Sequence, residues 1–190
     1  MIIDNIITNS LVKEFNNVVL NSKIQKIYQN DLNIFIIDLY SKSNTYKLVI
    51  SLNPETYRVC LSENKYENKK ITSPFLMQLK KYLESGRIIS IKQINYDRII
   101  KLEIESYNDI RDKIKLYLII EITGKYSNLI LTDTEYKILG SFRYIDQIKN
   151  DERQIILDKP YVPITNKYNK SNFENLSEKD FSKIIDLNES

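Results

Sequence analysis

The sequence predicts an α+β fold, with mainly antiparallel, β-sandwich-like sheets and two packed helices. Three observations lead there. Between Lys113 and Thr123, Ile114, Leu116, Leu118, Ile120 and Ile122 hold every second position, the period of a strand with one face in a core. From Lys23 to Ser62, four short strand-like runs follow one another with short polar turns, the signature of an antiparallel meander. Two further stretches, near Asn5 to Val18 and Ser73 to Glu84, carry apolar residues at helical spacing, and such stripes need a sheet to lie on.

In the first helix, Ile7, Leu11, Phe15 and Val18 form the stripe, and Asp4 is the expected N-cap. A hairpin is expected next, from Lys23–Gln29 and Leu32–Tyr40 with Asn30-Asp31 as its turn. Tyr46–Leu52, after the polar tip Ser41–Thr45, and Tyr57–Ser62, set off by Asn53-Pro54, complete the meander. The charged segment Glu63–Lys70 is expected to be exposed. Ser73 caps the second helix and Pro74 suits its first position, while Gly86 is expected to be its C-terminal stop. Three strands follow, Ile88–Ile94, Arg98–Glu105 and Lys113–Thr123. A further hairpin, Asn128–Thr132 and Lys137–Phe142, turns at Asp133–Glu135. From Asp146 to Pro163 an irregular connection holds one short apolar run, Ile155–Leu157. Asn166–Asn175 is polar, and Leu176–Leu187 reads as a last helix.

Composition removes several chemistries. The 190 residues contain no histidine, which excludes His-based triads, imidazole acid–base work and His-containing metal sites. A lone cysteine, Cys60, excludes an intrachain disulfide and a Cys-rich zinc site, and reads as a small apolar residue in a strand. Three glycines do not make a phosphate-cradling loop. No metal or other cofactor is expected. The net charge of +3 is too small to indicate nucleic acid by itself, and the richness in Asn, Ile, Lys and Tyr with no Ala resembles a coding bias. The opening MIIDNIITNS lacks a basic leader, and no apolar run nears the ~20 residues of a spanning helix, so the expectation is a cytoplasmic protein without a membrane partner.

Two places could carry recognition chemistry. Asp97-Arg98 lies between two strand runs. It reads either as a turn residue beside a surface arginine, or as a guanidinium that grips phosphate or a base edge with a carboxylate to orient it. Gly124-Lys125-Tyr126-Ser127-Asn128 joins two other strands. It is either an ordinary turn or a corner that holds phosphate and stacks a base. Lys80 and Lys81 in the second helix, with Arg87 beyond it, are either helix-end charges or a phosphate-facing patch.

Taken in order, IITNSLVKEF, SLNPETYRV, PFLMQLKKYLESGRIISIKQINYDRII and EITGKYSNLILTD resemble the NFACT-N domain. That domain opens the bacterial ribosome quality control factors of the RqcH type, also known as fibronectin-binding protein A, and their eukaryotic NEMF-type relatives. The resemblance covers about residues 1–163. It implies a domain over 1–163, then a linker and the start of a following helical module over 164–190 of a longer protein. It also implies a fold similar to the N-terminal domain of formamidopyrimidine-DNA glycosylases. Those enzymes use an N-terminal proline and a glutamate. This chain opens Met1-Ile2-Ile3-Asp4, so a non-catalytic RNA-binding module is expected. The family binds large ribosomal subunits that hold a stalled peptidyl-tRNA. Its bacterial members recruit alanyl-tRNA and add a C-terminal alanine tail. Its aspartate–arginine doublet is needed for tRNA recruitment, a role the resemblance carries to Asp97 and Arg98. The resemblance carries that role no further; the residues themselves offer Lys80, Lys81, Arg87, Lys125, Tyr126, Ser127 and Asn128 as further candidate nucleic-acid contacts. At the corner, relatives typically read Gly-Arg-His-Ser-Asn. Lys125 and Tyr126 keep a cation and an aromatic but lose the guanidinium and the imidazole. The alternative is an adhesin-like protein that binds fibronectin, and a glycosylase-like enzyme comes third.

Overall fold

The computed structural model describes residues 4–146 and 153–164. The expected helix over 176–187, and the linker beyond residue 164, lie outside them. Among the described residues the order is α1 (Asn5–Val18), β1 (Lys23–Asp31), β2 (Ile34–Ser41), β3 (Asn44–Ser51), β4 (Arg58–Ser62), α2 (Pro74–Leu83), β5 (Arg87–Gln93), β6 (Ile99–Tyr107), β7 (Lys113–Glu121), β8 (Asn128–Thr132) and β9 (Ile138–Ser141). Every strand pairing is antiparallel, in the order β4-β3-β2-β1-β5-β6-β7-β8-β9. The α+β expectation therefore holds.

Instead of separate sheets, one ladder runs through all nine strands. It is narrow where β1 meets β5, with Lys23 opposite Arg87, and there it folds back on itself. Phe35 of β2 meets Phe142, which follows β9, at 5.4 Å between ring centroids. Arg143 Nη2 donates to the Leu52 carbonyl at the end of β3, at 3.0 Å. One buried cluster accordingly takes residues from both halves and both helices, including Phe15, Phe35, Leu48, Leu79, Leu102 and Leu118.

Local chemistry sets the element ends. Asp4 Oδ1 accepts from the Ile7 N–H at 2.8 Å, and Ser73 Oγ from the Leu76 N–H at 3.2 Å, with Pro74 in the first position of α2. The first hairpin turns at Leu32-Asn33, not Asn30-Asp31. A register shift between Gln29 and Asp31 carries β1 two residues further, and Gln29 Nε2 bonds the Leu32 carbonyl at 2.8 Å. Both central residues of the β2–β3 turn, Lys42 and Ser43, take positive φ, the geometry of a tight hairpin turn.

Gly86 does not supply the left-handed residue after α2; Ser85 does, with φ 70. Gly86 is needed for closeness. A Cβ there would sit 3.0 Å from each of Glu105 O, Ile104 Cγ2 and Leu83 O. Gly86→Ala is therefore expected to cost about 1–3 kcal/mol, as overpacking does. Urea unfolding measures it, and an unchanged midpoint would refute the crowding.

The one-faced pattern of β7 is incomplete at its end. Ile119, on the opposite face from Leu118 and Ile120, is buried with Ile99, Ile130, Ile138, Ile155 and Tyr161. The cover is the stretch around residues 153–162, which returns over this face through the bridges Ile145–Ile155 and Lys137–Pro160. Its anchor is polar. Arg153 meets Glu121 with both terminal nitrogens, and Tyr161 Oη donates to Glu121 Oε1 at 2.7 Å. The Glu121 side chain is 0% exposed. Cys60 lies half-buried beside Tyr28, Ile36 and Val49, and burial pushes its thiol up, away from the reactive thiolate.

Candidate nucleic-acid interface

The β5–β6 connection, the β7–β8 connection and the stretch after β9 all leave the sheet at the same end, because these strands alternate in direction. Asp97 and Arg98 occupy the first of these. The hairpin tip is Asn95-Tyr96, with φ 51 and 48, a left-handed pair held by surrounding bonds. Asp97 N–H donates to the Ile94 carbonyl at 2.9 Å, and Ile94 N–H to the Ile99 carbonyl at 2.9 Å. The Arg98 carbonyl accepts from the Ile122 N–H at 2.9 Å, so β7 fixes the doublet from the other side.

The two side chains have different situations. Asp97 is 4% exposed, and its Oδ1 accepts from the Arg98 N–H at 2.7 Å. Arg98 keeps 34% of its side chain exposed, with Nε 3.9 Å from the same carboxylate oxygen. The carboxylate is thus turned into the fold and holds the local backbone, while the guanidinium is the group at the surface. A fixed guanidinium with open N–H groups can bind a phosphate or a purine edge bidentately.

The corner at Gly124 divides in the same way. Gly124 has φ +69, and Gly124–Tyr126 form a single 3-10 turn. Lys125 and Tyr126 are exposed, with the Lys125 ammonium 5.0 Å from the Tyr126 ring. Ser127 and Asn128, which the sequence offers as further contacts, are both buried. Ser127 Oγ accepts from the Thr123 N–H at 3.0 Å. Asn128 Oδ1 accepts from the N–H groups of Leu129 and Arg143, both at 2.9 Å, and its Nδ2 donates to the Arg143 carbonyl at 2.9 Å. Their polar atoms hold the corner together. Arg143, which the sequence reading did not single out, completes this lock through the Lys125 and Leu52 carbonyls.

Lys80, Lys81 and Arg87 do not join this end. Arg87 opens β5 and the doublet follows its close, a separation of roughly 20 Å at about 3.3 Å per residue. Lys81 is paired with Asp109 at 2.8 Å, which holds its ammonium above the ordinary range, and Arg87 donates to the Asn21 carbonyl. Lys81 lies instead beside Tyr107, Asn108 and Asp109, at the β6–β7 connection. Among the described residues, no helix is long and apolar enough to cross a membrane, and no group of three or more His, Cys, Asp or Glu could hold a metal ion.

An antiparallel sheet that brings the part-exposed Arg98 and the exposed Lys125–Tyr126 corner to one end defines the class, an α+β domain with a polar sheet end. The family model described as NFACT N-terminal and middle domains matches residues 4–190, and the chain belongs to that family. It is 32% identical over 163 residues to the Rqc2 homolog RqcH of Streptococcus pneumoniae strain D39, covering 85% of this chain and 30% of that one. The Rqc2 homolog RqcH of Bacillus subtilis strain 168 is 32% identical over 162 residues, covering 85% and 28%. The human ribosome quality control complex subunit NEMF is 28% identical over 135 residues, covering 71% and 12%. The chain thus spans less than a third of the length of the curated relatives it matches.

Two solved structures share the fold. The N-terminal part of the fibronectin/fibrinogen-binding protein of Streptococcus suis matches with TM-score 0.90 at 28% identity, over 97% of this chain and 69% of that one. The N-terminal domain of the fibronectin-binding protein PavA of Streptococcus pneumoniae matches with TM-score 0.87 at 29% identity, over 96% and 68%.

Proposed function

We propose that this domain is the tRNA-binding module of a cytoplasmic ribosome quality control factor. In this reading the complete protein binds large ribosomal subunits that hold a stalled peptidyl-tRNA. It recruits alanyl-tRNA for C-terminal alanine tailing, and this domain contributes a non-catalytic grip on the RNA. The observation that carries the reading is Arg98, part-exposed just after the hairpin tip and next to the buried Asp97, in a chain of the NFACT family. Lys125 and Tyr126 are the second contact surface.

The test is affinity of labelled tRNA for the full-length protein and for Arg98→Ala. A charge-assisted contact is worth about 1.5–3 kcal/mol, so the variant is expected to bind roughly 10- to 100-fold more weakly. Loss of a phosphate contact would also reduce the slope of log affinity against log salt by about one. Equal binding by both proteins rejects the assignment.

A second reading, fibronectin binding, is favoured by the names of the two structural neighbours. Retention of the protein on immobilised fibronectin, and its loss from intact cells on surface proteolysis, would support that reading. Survival of the protein after shaving, with no retention, would remove it.

A further inference from the structure

Gln93 ends β5, four residues before Asp97. Its Nε2 donates to the Asp97 carbonyl at 2.8 Å and to the Asn5 carbonyl at 2.9 Å. An amide nitrogen has two N–H groups, and here each has its own acceptor. The orientation is set by chemistry, since the reversed amide would turn its oxygen toward two carbonyl oxygens. Gln93 Oε1 is buried and has no partner among the described residues, so the side chain is placed for what its nitrogen does. One acceptor belongs to the doublet, and the other opens α1, 88 positions earlier.

We propose that Gln93 is a positioning residue for Arg98. It ties the hairpin tip to the first turn of α1 and so fixes where the guanidinium meets RNA. The proposal rests on the reading of Arg98 as an RNA contact. The tip needs such a tie. Two successive non-glycine residues, Asn95 and Tyr96, have left-handed φ, which L side chains adopt at a cost. Asp97 contributes its carbonyl to Gln93 and its N–H to Ile94, so the peptide groups on both sides of its Cα are fastened. Without the amide, the Asp97 carbonyl loses this tie to Gln93 and α1. Below it, the bonds Ile94 to Ile99 and Ile122 to Arg98 stay in place. The effect is therefore local to the tip.

The experiment is a double-mutant cycle on the full-length protein, read by tRNA affinity and by thermal unfolding. Gln93→Glu keeps the shape but sets a carboxylate against two carbonyl oxygens. It is expected to weaken tRNA binding about tenfold in the wild-type background, and to have no further effect in the Arg98→Ala background. Gln93→Met fills similar space with neither donor nor charge, and replaces Gln93→Glu in the cycle if that variant unfolds. Unchanged affinity in the wild-type background overturns the proposal. So do additive effects in the two backgrounds, because a merely structural role weakens binding whether or not Arg98 is present. If Arg98→Ala alone leaves affinity unchanged, the RNA reading itself falls, and the two failures are told apart.

Discussion

Replacement of Arg153 by methionine is expected to destabilise the domain by about 3–5 kcal/mol, the cost of leaving a buried charge without its partner. Glu121 is 0% exposed and lies in β7 opposite Ile99. Arg153 reaches it with both terminal nitrogens, and Arg153 Nη1 also donates to the Val162 carbonyl at 2.7 Å. Burial works against the charge on Arg153, but Glu121 outweighs it and holds the guanidinium above its ordinary range. For a domain of this size the loss corresponds to a fall in Tm of about 10 °C. Thermal unfolding measures it, and a fall below about 2 °C would show that the pair is dispensable.

The double variant Glu121→Met with Arg153→Met is expected to recover most of that loss. A buried ion pair is weakly stabilising in itself and costly mainly when halved. Tyr161 adds a pH dependence. Burial, and then the Glu121 carboxylate, push its hydroxyl well above the usual tyrosine range. The unfolded chain releases that proton near pH ~10 while the folded chain retains it. The contribution of Tyr161 is therefore complete below about pH 10 and is lost as the pH rises further.

Phe35→Ala is the second large effect, expected at about 3–5 kcal/mol. Phe35 is fully buried on β2 and meets Phe75 of α2 edge-on at 6.1 Å and Phe142 at 5.4 Å. Its loss leaves a cavity between the two halves of the sheet. Phe35→Leu, which retains much of the volume, should cost less. Chemical denaturation of both variants provides the check: equal costs would mean that the site collapses around either side chain.

Much of the fold was legible because its determinants are local. The stripe from Ile7 to Val18 and the cap at Asp4 fix α1 with the bounds the spacing predicts. Ser73-Pro74 does the same for the start of α2. The hairpin at Leu32-Asn33 was misplaced because a register shift inside a strand leaves no turn residue to mark it. Gly86 was assigned to a backbone angle, whereas its reason lies in Glu105 and Ile104 on β6, beyond the reach of local sequence.

The site was legible to the same depth. A part-exposed Arg98 just after a hairpin tip follows from the alternation on either side of it. That Ser127 and Asn128 face inward does not, since small polar residues read as surface until their partners Thr123, Leu129 and Arg143 are in place. Gln93 gave no signal, because one of its acceptors, Asn5, is brought to it only by the packing of α1.

The narrow seam between Lys23 and Arg87 bears on how the domain is made. Strands β1 to β4 form from consecutive hairpins, and so do β5 to β9, so each wing can zip up from near neighbours in sequence. The clasp between the wings, Phe142 and Arg143, lies past the last strand. A nascent chain arrested before these residues emerge would lack this clasp between its two wings.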